Sequence, residues 1–162
     1  MRAALIKHST PDIYVRPGTA ADIGALLDLE NRVFATGRMS RRSLRHFLAS
    51  RTAAVAVAEY EGRLAGCAVV LFRPASTVAR LYSIAVDPNS GGCGIGSALL
   101  DSAEAAALAR NCLTMRLEVH ERNARAIARY RKAGYHPFGR YARYYADDGD
   151  ALRFEKRLAP PS

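Results

Sequence analysis

One stretch limits what this chain can become more than any other: Leu81-Tyr82-Ser83-Ile84-Ala85-Val86-Asp87-Pro88-Asn89-Ser90-Gly91-Gly92-Cys93-Gly94-Ile95-Gly96-Ser97-Ala98-Leu99-Leu100. Its first part is mostly apolar and reads as a strand. That strand must stop at Asp87-Pro88, because proline has no N–H to give to a ladder. Four glycines follow within six residues, and an Ala- and Leu-rich run from Ser97 onward reads as a helix. Strand, glycine turn and helix start together leave several backbone N–H groups bare at the positive end of a helix dipole. A phosphate or pyrophosphate suits such a place.

Two of the glycine-rich phosphate motifs fail on the letters. A P-loop ends in Gly-Lys-Ser/Thr, and no lysine occurs between Lys7 and Lys132. A dinucleotide fingerprint G-x-G-x-x-G would need a third glycine where Ser97 or Leu99 stands. What remains is Val86-x-Pro88-x-x-x-Gly92-x-Gly94-x-Gly96-Ser97-Ala98-Leu99-Leu100. This resembles the acetyl-CoA loop of the GNAT acyltransferases, whose core is Arg/Gln-x-x-Gly-x-Gly/Ala. It departs from that pattern at Gly91, where the family usually has Arg or Gln, and at Cys93, where a second basic residue is common. A plain flexible turn is the alternative reading of these glycines taken alone.

At 162 residues the chain is read as one domain, with residues 1–11 as a loose N-terminal arm. A 49% hydrophobic and 24% charged composition is ordinary for a globule. No apolar run approaches the ~20 residues of a membrane span. Met1 to His8 lack the apolar stretch of a secretory signal, so a cytoplasmic protein is expected. Cys67, Cys93 and Cys112 are widely spaced and odd in number, which points to reduced thiols and no metal. The net charge is +9, and nine basic residues between Arg110 and Tyr145 face only Glu118 and Glu121. Such a half suits a polyphosphate ligand and equally suits nucleic acid or a merely solvated face. No nucleic-acid-binding motif accompanies it.

Taken in order, Ile13–Arg16 reads as a strand closed by Pro17-Gly18, and Thr19 caps a helix with Asp22 as its capping-box acid. Ser40 starts a second helix carrying Leu44, Phe47 and Leu48 inward. Residues 54–60 and 64–72 read as a β-hairpin about Glu61-Gly62. The strand at 79–86, the glycine loop and a helix to about Ala109 follow. Thr114–Val119 alternates as a strand, Asn123 caps a helix that ends at Gly134, and two strands close the chain on either side of the Asp147–Asp150 turn. The order β–α–α–β–β–β–α–β–α–β–β predicts an α+β fold, a mostly antiparallel mixed sheet with helices on both faces.

Leu117-x-Val119, Asn123, and Tyr130 ahead of Gly134-Tyr135 look like the second GNAT signature. Glu118 stands twelve residues before Tyr130, and Tyr144-Tyr145 follow Arg143, as in the branch that acetylates the N-terminal alanine of ribosomal proteins. The resemblance implies Glu118 as proton acceptor, Tyr130 as proton donor, and Tyr144 and Tyr145 at the acceptor. It implies acetyl-CoA held by Ile84, Ala85, Val86, Gly92, Cys93, Gly94, Ile95, Gly96, Ser97 and Asn123, with no metal and a protein or peptide amine as partner. The chemistry is reasonable on its own terms. An attacking amine must lose a proton, a thiolate leaving group gains from a nearby acid, and a free N–H on the 84–86 strand can hold a developing oxyanion. Taken singly, Glu118 also reads as an ion-paired strand residue and Tyr130 as core. His120 and His136 read as surface residues, and Asp147, Asp148 and Asp150 as a turn or an acceptor mouth. A covalent route through Cys93 lacks a histidine partner nearby in sequence. A small-amine acetyltransferase, a non-catalytic acyl-CoA-binding domain and a ribosome-associated binding module stay open as alternatives.

Overall fold

The computed structural model describes residues 12–159, so the N-terminal arm expected at 1–11 lies outside the described residues. The first strand, β1 (Ile13–Pro17), pairs antiparallel with β2 (Ala53–Tyr60), which turns into β3 (Arg63–Leu71). Glu61 and Gly62 both take positive φ, 52° and 74°, the backbone a two-residue hairpin turn needs to follow the twist of its strands. β3 pairs antiparallel with β4 (Val78–Val86), and β4 pairs in parallel with β5 (Thr114–His120). β6 (His136–Tyr141) and β7 (Ala151–Arg157) complete a seven-stranded sheet in the order β1-β2-β3-β4-β5-β7-β6. The single parallel pair is the one that the glycine loop and the helix after it cross over, as a parallel connection requires.

The strands' two-residue period sorts their side chains between two cores. Val55, Val57, Cys67, Val69 and Ala85 meet α1 (Ile23–Val33) and α2 (Arg41–Ala49) on one face. Ala68, Val70, Leu81, Met115 and Leu117 meet α3 (Ile95–Ala109) and α4 (Ala124–Lys132) on the other. Helices thus cover both faces of an α+β fold, as the element order predicts. Leu29, Leu44, Leu99 and Phe154 are wholly buried. Each side chain of this kind contributes about 1.5–3 kcal/mol by leaving water. α1 begins through a short turn, where the Thr19 N–H donates to Asp22 Oδ2 at 2.8 Å. The same carboxylate accepts both terminal nitrogens of Arg16, each at 2.8 Å, which holds its pKa down at about 2.

Candidate active site

β4 and β5 run together for only three register pairs, Val78↔Thr114, Ala79↔Met115 and Arg80↔Arg116, and then part. The cause lies on the other edge of β4. There Val69 pairs with Ser83 and Val70 with Leu81, so Tyr82 is an extra residue, a bulge that bends β4 away. Past the bulge the backbone alternates. Asp87 N–H donates to Ala65 O at 2.8 Å, so by alternation the Ala85 N–H also faces β3, while those of Ile84 and Val86 face the gap. The gap opens into a cleft of about 910 Å³.

One end of the cleft is the glycine loop. Gly94 sits at φ 84°, a left-handed conformation that turns the chain into α3. The helix starts at Ile95, two residues before the Ser97 start expected from its Ala- and Leu-rich run, so the N–H groups of the glycine stretch are those of its open first turn. Gly92, Gly94, Ile95, Gly96 and Ser97 all border the cleft, as do Ile84 and Val86. Two residues grouped with them do not. Ala85 is 2% exposed and packs in the α1–α2 core. Cys93 is exposed outside the cleft, its Sγ 3.8 Å from Gly91 O, and it faces Tyr60, whose hydroxyl pKa it raises. Asn123 caps α4 by accepting the Ala126 N–H at 3.1 Å, which leaves its amide N–H₂ for the cleft.

The other end carries the titratable groups. Glu118 shares the strand parity of Arg116 and His120, whereas Tyr130 packs with Leu117 and Val119, so the two approach the gap from opposite faces of the sheet. Arg80 Nε donates to Glu118 Oε2 at 3.0 Å, and its Nη2 donates to the Tyr144 hydroxyl at 3.1 Å. Oε1 of Glu118 has no partner among the described residues. Tyr130 is 5% exposed, and burial pushes its phenol up to about 12. Its hydroxyl makes no hydrogen bond to a described residue, and Tyr130 borders the cleft. Tyr145 is also pushed up to about 12, by burial first and then by Tyr144 and the Glu118 charge.

Three residues of the cleft escaped sequence reasoning. His120 is not a free surface residue. Its ring stacks on Tyr145 at 4.8 Å, its Nδ1 accepts the Arg122 N–H at 3.1 Å, and its Nε2 meets Asp147 at 2.9 Å. Both nitrogens are engaged, so it acts as a wall and holds Asp147 at the mouth. Glu30 is 3% exposed, accepts the Met39 N–H at 3.0 Å and has its carboxyl raised mainly by burial. An acid on the apolar stripe of α1 was the one available signal for it. Arg80 carried no signal, because its partners lie 38 and 64 residues away. Among the described residues no three His, Cys, Asp or Glu gather closely enough to hold a metal ion, and no helix is long and apolar enough to cross a membrane.

A model of the acetyltransferase (GNAT) family matches residues 23–135. Among solved structures, the ribosomal-protein-S18-alanine N-acetyltransferase from Escherichia coli is similar at 25% identity and a TM-score of 0.82, over 93% of this chain and 97% of that one. Ard1 from Thermoplasma volcanium is similar at 25% identity and a TM-score of 0.81, over 91% and 99%. The ribosomal-protein-alanine N-acetyltransferase from Brucella melitensis is similar at 28% identity and a TM-score of 0.77, over 90% and 99%. No curated protein matches the sequence.

Proposed function

The chain belongs to the acetyltransferase (GNAT) family, and from that membership we propose that it moves the acetyl group of acetyl-CoA directly to a primary amine, that of a protein N-terminus or another peptide. The observation that carries this reading is the gap between β4 and β5. It brings together two unpaired strand N–H groups, a carboxylate with one free oxygen and a neutral phenol. Acetyl-CoA fits the residues present. The α3 N-terminus and its glycines suit the pyrophosphate, the Asn123 amide suits the pantetheine arm, and the thioester supplies the acetyl group at the gap.

The chain's own groups then divide the work. Glu118 Oε1 takes the amine proton while Arg80 pins Oε2, so the carboxylate keeps one orientation without giving up its reactive oxygen. An N–H of Ile84 or Val86 stabilises the negative charge that gathers on the carbonyl oxygen, and it is already in place before the reaction. Tyr130, held up at about 12, keeps its proton more tightly than a thiol does. It therefore offers the departing sulfur a strong hydrogen bond in preference to a completed transfer.

A peptide acceptor is favoured by the mouth. Tyr144, Tyr145 and Asp147 border it, Tyr145 meeting Tyr144 edge-on at 5.0 Å, and Tyr141 stacks on Tyr144 at 5.6 Å. Flat walls hold an extended chain, and the carboxylate attracts its ammonium terminus. The similarity to two ribosomal-protein-alanine N-acetyltransferases points the same way. In this reading the chain works as one catalytic domain in the cytoplasm. Incubation with acetyl-CoA and a library of peptides, alongside polyamines and aminoglycosides, tests it by mass spectrometry. A +42 Da product on peptide N-termini is expected, as the mass of an added acetyl group. Turnover of the small amines alone would reverse the acceptor assignment.

A further inference from the structure

The glycine loop has no cation of its own. From Asp87 to Leu100 there is no Lys or Arg, and the one charged residue, Asp87, is paired with Arg32 at 3.1 Å. A pyrophosphate there would meet backbone N–H groups and no countercharge. Yet two guanidinium groups stand over the loop, both from α4. A β-carbon placed on Gly91 would lie 3.0 Å from Arg125 Nη2, and one placed on Gly96 would lie 2.8 Å from Arg129 Cζ. The volume that side chains at 91 and 96 would fill is thus filled by arginines from another element. Arg125 and Arg129 are four apart, on one face of α4.

Neither arginine is neutralised. The acids around them are committed elsewhere: Glu118 to Arg80, Glu121 to Arg140 and Asp147 to His120. Among the described residues neither guanidinium has a carboxylate partner, and both border the cleft. Two unpaired cations, Arg125 exposed and Arg129 half-buried, flank the open N-terminus of a fifteen-residue helix, a place suited to an anion. We infer that Arg125 and Arg129 clamp the pyrophosphate of the acyl-CoA from α4, and that Gly91 and Gly96 are small because the two guanidiniums occupy their space. This rests on the acyl-CoA reading above and assigns it two binding residues that the loop does not contain. It also ties phosphate binding to the helix that carries Tyr130, so anchoring the nucleotide also fixes the phenol that meets the departing sulfur.

Titration calorimetry with CoA and with 3′-dephospho-CoA tests the assignment on the intact protein. Arg125→Gln and Arg129→Gln should each weaken both ligands by roughly tenfold, with the double variant losing more than either. Equal affinity in wild type and double variant would overturn the assignment while leaving the acyl-CoA reading intact. Loss with CoA but not with the dephospho ligand would overturn it too, since the arginines would then serve the 3′-phosphate. Wild-type protein that binds neither ligand brings down both readings. A swap is the sharper arm. Gly91→Arg crowds and repels the Arg125 guanidinium in the wild type, but in the Arg125→Gln background it has room and returns a cation to the same anion. Recovery of most of the lost affinity is expected, and none, in a variant with unchanged thermal unfolding, overturns the shared site.

Discussion

Glu118 and Tyr130 differ in how their removal should respond to pH. Glu118→Gln keeps the shape and the Arg80 contact but loses the proton acceptor, so kcat should fall by roughly 10²–10⁴ at neutral pH. The deficit should shrink as pH rises, because more of the amine is then already neutral. Tyr130→Phe should slow turnover without that rescue. Since burial holds the Tyr130 proton to about 12, no limb of the wild-type profile between pH 6 and about 10 should belong to it. Profiles of kcat against pH for the three proteins check both points, and a wild-type rate for Glu118→Gln near neutrality would return Glu118 to a plain ion-paired strand residue. These two residues were legible in the sequence through the resemblance that Leu117-x-Val119, Asn123 and Tyr130 carry, while strand alternation and helix capping, both local rules, set only where they stand. Arg80, His120 and Glu30 were not, since each takes its part in the cleft from partners brought close only by folding. The resemblance puts Ala85 and Cys93 at the acetyl-CoA site. The alternation of β4 and the turn of the loop direct them away from it.

At the level of elements, the order of strands and helices and the hairpin about Glu61-Gly62 follow from apolar periodicity, proline stops and turn residues, and the fold bears them out. α3 starts two residues ahead of its Ala- and Leu-rich run, because glycines count against a helix in propensity although here they open one. The bulge at Tyr82, which makes the gap, left no mark in the letters; it is a matter of register between β3 and β4. The entry to α1 supports a stability prediction. Asp22→Asn keeps the size but removes the charge that Arg16 and Thr19 N–H bind, so unfolding free energy should drop by about 1–3 kcal/mol. The folded pKa of Asp22 is depressed to about 2 from 3.8. Its contribution is therefore fully present above the unfolded value and is lost as pH falls through that window. Urea midpoints measured from pH 6 down to pH 2 should show the wild type and the variant converging at the acid end. A constant difference would contradict the role given to the ion pair.

For the molecule as a whole, the +9 charge and the basic half around α4 should act on encounter before they act on grip. kcat/KM for acetyl-CoA is expected to fall between 0.05 M and 0.5 M salt, where the screening length shrinks from above to below ~10 Å, with kcat changing far less. Initial rates across that series check this, and a salt-independent kcat/KM would leave the charge as a matter of solubility. The parting of β4 from β5 has a mechanical consequence. Four strands on one side and three on the other are joined by three register pairs, so the protein is two plates on a short seam. An acyl-CoA lying in the gap takes up amides that the seam leaves idle, and so bonds the plates as a missing strand would. Its binding should raise the melting temperature and slow deuterium uptake at Ile84 and Val86, with the effect reaching β5, which borders the same gap, and spreading on into β7, which does not. Cofactor supply would then govern how rigidly the acceptor mouth, carried by the smaller plate, is held against the larger one.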